Sequence, residues 1–182
     1  MTKLRSMTEQ DVNQCIELYI SAFNTIDTLH EMYRRALPRY FRKFISDKNA
    51  YAYVLCENDT VIGILTAIQI PNLLEEYSIH IDTVAIAPEF QHRGFGREML
   101  TRFIASNNRS TITITATRKS NGYQLYDKVG FYDVSDCAYM MLVPGVTEKL
   151  KQINEQYKQA IKEKEDLKKH CQQLQEELNN NV

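Results

Sequence analysis

The chain predicts an α/β (α+β) fold, a mixed sheet with helices on its faces, followed by a C-terminal helical extension. Three observations predict it. Segments of strand and helix character follow the order β-α-α-β-β-β-α-β-α-β-β, which is not the strict alternation of a parallel sheet. A strand, a glycine-bearing turn and an amphipathic helix succeed one another within residues 81–100. From Val146 the composition turns to Lys, Glu and Gln, with no glycine or proline. At 182 residues and 43% hydrophobic content the chain holds one core with an appendage. Residues 1–145 are read as the domain and residues 146–182 as the long helix.

Lys3–Ser6 reads as a short first strand. Thr8 followed by Asp11 opens a helix, with the acid near its positive end. Val12, Ile16, Tyr19, Ile20 and Phe23 recur at helical spacing. After a polar break at Asn24–Asp27, Thr28 to about Ser46 is helical, and Pro38 is expected to end or kink it. Ala50–Cys56 and Thr60–Ile70 are strands around the polar hairpin loop Glu57-Asn58-Asp59, with Gly63 as a candidate bulge. Pro71-Asn72 ends the second, and a loop at Leu73–Glu76 leads to a strand at Tyr77–Ile86. Met99, Leu100, Phe103 and Ile104 mark one side of the next helix. Ser110–Thr117 alternates threonine with apolar residues, a strand with one buried face. Ser120–Val129 is a short helix capped by Ser120 or Asn121 and ended by Gly130. Phe131–Val134 and Cys137–Val143 are the final strands, and Pro144-Gly145 closes the domain.

The residues between strand and helix carry the chemistry. Pro88 stops the strand, and Gln91-His92-Arg93-Gly94-Phe95-Gly96 leads into the helix. A helix N-terminus offers unpaired N–H groups and a positive dipole end, and glycine lets a phosphate approach the backbone. A Rossmann turn would need a third glycine and a P-loop a Lys and Ser/Thr at fixed spacing, and neither is present. Gln91-x-x-Gly94-x-Gly96 after an apolar strand closely resembles the acyl-CoA-binding motif of the GNAT (Gcn5-related N-acetyltransferase) superfamily. A second match is Tyr126-x-x-x-Gly130-Phe131. The resemblance covers residues 3–143.

The resemblance implies the GNAT acyl-CoA N-acyltransferase fold and direct transfer of an acetyl group from acetyl-CoA, as cosubstrate, to an amine. It implies no metal. Pyrophosphate would sit on the N–H groups of His92, Arg93, Gly94, Phe95 and Gly96, with Arg93 and Arg97 either adding charge or simply solvated. Pantetheine would lie along the strand backbone at Val84, Ala85 and Ile86, with the Val84 N–H polarising the thioester carbonyl. Tyr126 would protonate the departing thiolate, since a phenol holds its proton at neutral pH, or would pack its ring between helix and sheet. His80 falls where several family members place a base, and histidine changes protonation near neutral pH. Asp82, two residues on, would orient the imidazole or relay a proton; alternatively both lie at a solvated strand end. Glu75 and Glu76 are further carboxylates for a cationic amine, or plain loop charges. The asparagine that family members often carry seven residues before the tyrosine is Lys119 here, so that contact is not carried over.

Composition narrows the partners. A net charge of −1 gives no global reason to expect nucleic acid or an acidic membrane. Arg34, Arg35, Arg39, Arg42 and Lys43, interleaved with Tyr33, Tyr40, Phe41 and Phe44, form either a wall over a substrate cleft or a solvated helix face. Cys15, Cys56, Cys137 and Cys171 make no Cys-x-x-Cys pair and suit a reducing compartment. The N-terminus lacks the apolar run of a signal peptide, and no segment is apolar for the ~18–20 residues of a membrane span. A soluble cytoplasmic protein is expected. In the extension, Leu150, Ile153, Tyr157, Ala160, Lys164, Leu167, Cys171, Leu174 and Leu178 alternate spacings of three and four, an a/d seam. It predicts a homodimeric coiled coil through residues 148–180, or a helix folded back on its own domain or frayed in solution. The expected partner is a small-molecule or peptide amine. The other function class is a catalytically inactive CoA-binding module acting through its C-terminal helix.

Overall fold

The computed structural model describes residues 2–23, 27–118 and 120–134, together with positions 155, 156, 159, 162–164, 166 and 170. Contacts divide the chain into Met1–Asp133 and Val134–Val182. In the first unit β1 (Thr2–Ser6) is followed by a 3-10 turn, Glu9–Asp11, then α1 (Val12–Ala22) and α2 (Asp27–Ser46). The strands β2 (Ala50–Glu57), β3 (Thr60–Pro71) and β4 (Tyr77–Ile86) come next, then α3 (Phe95–Ser106), β5 (Ile112–Ile114) and α4 (Asn121–Val129).

Among the described residues the strands form one sheet in sequence order. β1 to β4 pair antiparallel and β5 joins β4 in parallel, so the expected mixed sheet is present. One face packs on α1 and α2 through Val12, Cys15, Ile16, Leu37, Phe41, Val54, Ile64 and Ala85. The other packs on α3 through Leu55, Leu65, Ile79, Ile81, Ile86, Met99, Leu100 and Phe103, with Leu125 and Tyr126 of α4 at its margin.

Sequence logic explains the element ends. Asn58 and Asp59 both take positive φ, 48° and 65°, the backbone of a tight two-residue hairpin turn. Ser120 rather than Asn121 caps α4, its Oγ accepting from the Tyr123 N–H (3.0 Å). Gly130 ends it at φ 108°, and the N–H groups of Gly130 and Phe131 return to the Tyr126 carbonyl.

Three expectations are corrected. Pro38 does not end its helix: α2 runs through it, because Leu37 and Phe41, 4% and 0% exposed, anchor the turn on the core. β5 is three residues long, not eight; the Thr111 N–H and hydroxyl are bonded to Glu75 (2.9 and 2.6 Å), and pairing with β4 ends at Ile114. Phe131–Val134 is irregular chain, with Tyr132 and Val134 exposed and Asp133 held by Arg118 (2.9 Å). The Cys137–Val143 strand, Lys119 and most of the 146–182 helix lie outside the described residues.

Candidate active site

Two irregularities shape β4. The β2–β3 register slips beside Gly63, where Leu55 pairs with Gly63 and Cys56 with Val61, leaving Ile62 as the extra residue. The bulge foreseen near Gly63 is therefore present. A Cβ at Gly63 would lie 2.7 Å from Ile86 Cδ1, so glycine lets β4 cross closely there. The β3–β4 register slips as well: Thr66 pairs with Thr83 and Ala67 with Ile81, so Asp82 is the extra residue.

The Asp82 bulge resets which way the backbone faces. Ile79 N–H points to the β5 side, donating to the Thr111 carbonyl (2.8 Å). Beyond the bulge the phase is set by Ala87, whose N–H donates to Ile62 of β3 (2.9 Å). Counting back in twos, Ala85 and Thr83 also face β3, and Val84 and Ile86 turn their N–H and C=O groups to the opposite edge. Among the described residues β5 pairs only with Ile79–Ile81, so there Asp82–Ile86 runs on without that neighbour. This open edge is about 16 Å long at ~3.3 Å per residue.

The turn Gln91–Gly96 adjoins the end of that edge. Gln91 Nε2 donates to the Ile86 carbonyl (2.9 Å), tying the turn to the strand. His92 (φ 58°) and Gly94 (φ 88°) adopt left-handed conformations that fold the backbone back toward α3. The first helical bond runs from the Glu98 N–H to the Gly94 carbonyl (3.0 Å), and the N–H groups before it are those a helix start leaves unpaired. Gly96 serves close packing: a Cβ there would meet Leu125 Cδ2 at 3.0 Å and Ile86 Cγ1 at 3.6 Å. The Arg93 guanidinium lies 5.3 and 5.2 Å from the Phe90 and Phe95 ring centres, held beside the turn as a cation–π contact. Arg97 is exposed on the first turn of α3.

The candidate catalytic side chains lie on different faces. Tyr126 packs on the α3 face, its ring 5.9 Å from Phe131 at 67°, and burial raises its phenol above the usual value. Among the described residues its hydroxyl has no hydrogen-bond partner. His80 alternates with the buried Ile79 and Ile81 and therefore projects to the α1–α2 face, where its Nδ1 lies 3.0 Å from Thr113 Oγ1. Asp82 is exposed on that face. Its carboxylate is engaged by the Tyr40 hydroxyl rather than by His80. Tyr40 also meets Thr66 Oγ1 (2.7 Å) and Thr83 Oγ1 (2.9 Å). Its phenol is raised by burial first and by the Asp82 bond second.

The remaining charges are mostly spent on structure. Thr111 holds the Glu75 carboxyl below its ordinary value and fastens the β3–β4 loop to β5. Arg34 pairs with Glu17, Arg35 with Glu31 (3.0 Å) and Arg42 with Glu9 (2.9 Å), so much of the basic run forms ion pairs on the helical surface. Among the described residues no helix is long and apolar enough to cross a membrane.

The strand edge, the start of α3 and the capped α4 thus lie beside one another on one side of the sheet. The model of the acetyltransferase (GNAT) family matches residues 12–131, and the chain belongs to that family. No curated protein matches the sequence. Among solved structures, a transcriptional regulator from Bacillus halodurans C-125 superposes with TM-score 0.62 at 19% identity, covering 78% of this chain and all 100% of that one. A predicted acetyltransferase with acetyl-CoA from Clostridium acetobutylicum gives 0.60 at 18%, covering 78% and 97%. An aminoglycoside 6'-N-acetyltransferase from Acinetobacter baumannii gives 0.61 at 10%, covering 80% and 100%. At these identities the likeness shows the fold.

Proposed function

We propose that the protein is an acetyl-CoA-dependent N-acetyltransferase whose acceptor amine attacks the thioester directly. The observation that carries this is the open edge of β4 running into the unpaired N–H groups of the Gln91–Gly96 turn. A strand-like pantetheine arm fits such an edge, and a pyrophosphate fits such a turn. Val84 N–H faces the edge as a fixed donor for the thioester carbonyl. Arg93 and Arg97 supply positive charge beside the phosphates.

The edge is also where the two faces of the sheet meet. Tyr126 lies on one face and His80 and Asp82 on the other, so a thioester lodged at the edge has the acid on one side and the amine on the other. In the reaction the amine nitrogen bonds to the carbonyl carbon, the carbon–sulfur bond breaks, His80 takes the amine proton and Tyr126 gives its proton to sulfur. The Tyr126 phenol keeps its proton at neutral pH, as any phenol does, and burial raises it further. The tail is read as a parallel homodimeric coiled coil, and the buried thiols of Cys15 and Cys56 suit a reducing cytoplasm.

The test is free-thiol release from acetyl-CoA against sisomicin, spermidine, an amino-acid amide and a lysine peptide. Turnover with at least one amine is expected. His80→Ala and Tyr126→Phe should each lower kcat by about 10²-fold while CoA binding persists. CoA binding without turnover of any amine would favour the inactive module.

A further inference from the structure

Tyr40 reaches from α2 to the sheet and meets three polar side chains at one point. Thr66 and Thr83, 0% and 6% exposed, sit within hydrogen-bond distance of its hydroxyl, and the Asp82 carboxylate takes a further bond. A carboxylate only accepts, so the single phenol proton goes to Asp82 and both threonine hydroxyls donate to the phenol oxygen. The direction of the chain is thereby fixed, from the buried threonines outward. At Asp82 it reaches Oδ2, to which Thr83 Oγ1 also comes within 3.4 Å. Oδ1 has no partner among the described residues. Asp82 is also the extra residue of the bulge, the first residue of β4 beyond its pairing with β5.

A helix brace alone would not need this arrangement. Threonine hydroxyls and a phenol satisfy one another without a carboxylate, and an exposed aspartate gains little from being held. We propose that Tyr40 is a positioning residue: it holds Asp82 so that Oδ1 faces the acceptor's ammonium group at the mouth of the open edge. The assignment rests on the transferase reading and adds a carboxylate for amine binding, with His80 left to take the proton. A phenol holds its proton at neutral pH, and burial raises it further, so the bond to Asp82 persists there.

The experiment compares full-length wild type, Tyr40→Phe, Asp82→Asn and the double variant, with sisomicin or spermidine as acceptor. Each single change should raise the acceptor KM about tenfold and leave the acetyl-CoA KM unchanged. The double variant should be no worse than Asp82→Asn. Multiplicative losses, or wild-type kinetics for Tyr40→Phe, overturn the proposal. A substrate-free arm seeks the hydrogen-bonded Tyr40 hydroxyl proton by NMR, and its absence from the wild-type spectrum overturns the proposal. The signal should vanish in Tyr40→Phe and move upfield in Asp82→Asn, and an unmoved signal also overturns the proposal. A coupled signal with no turnover of any amine removes the transferase reading itself and leaves Tyr40 a brace of the fold.

Discussion

Asp11 joins the first strand to the first helix through one carboxylate. Arg5 Nη1 and Nη2 each approach it at 2.7 Å, and the Thr8 N–H donates at 2.7 Å. The Arg5 bonds, opposed by burial, hold the Asp11 carboxyl at about 2, against an ordinary 3.8. A lowered carboxyl stabilises the fold above the unfolded value and loses that contribution as pH falls from about 3.8 toward 2. The shift corresponds to roughly 2 kcal/mol. Urea unfolding should therefore show Asp11→Asn less stable by about that amount at neutral pH, with the gap to wild type closing near pH 2. The Thr8–Asp11 spacing was legible as a helix start because both residues belong to one turn. Its partner Arg5 was not, because the pair depends on how the strand meets the helix. Tyr40 was hidden similarly: in the sequence it is one aromatic in a basic run, and its value comes from Thr66, Thr83 and Asp82 on distant strands.

The start of α3 uses its two glycines for different reasons. Gly94 stands at φ 88° with open space where a Cβ would go, so its cost on substitution is conformational. Gly96 has no such backbone demand, but its Cβ would press on Leu125 Cδ2 of α4 at 3.0 Å. Gly94→Ala should lower stability by about 1–2 kcal/mol through left-handed strain. Gly96→Ala should act mainly on the site, pushing the first turn of α3 from Leu125 of α4 and weakening CoA binding several-fold. Thermal melting and calorimetric titration with CoA separate the two, and equal effects on both quantities would refute this division. The turn was readable because glycine spacing and the preceding strand are local. The fate of Pro38 was not, since local propensity predicts a break and core packing of Leu37 and Phe41 overrides it.

For the whole molecule, the expected association lies in the tail. Its described positions are helical, and Gln159 Nε2 donates to Glu163 Oε1 across one turn (3.1 Å). A polar helix of this kind is marginal alone. Sedimentation should give a dimer mass for the full chain and a monomer mass for a chain ending at Gly145, and monomers in both would exclude the coiled coil. The sequence by itself determined the family, the order of the described elements and the Gln91–Gly96 turn between strand and helix, because each is written in residues a few positions apart. Only the tertiary structure decided that β4 changes phase at Asp82 and that Tyr40 meets it there. A bulge is a relation of register between two strands, and a hydrogen bond from α2 to β4 spans forty-two positions of chain, so neither leaves a local pattern to read.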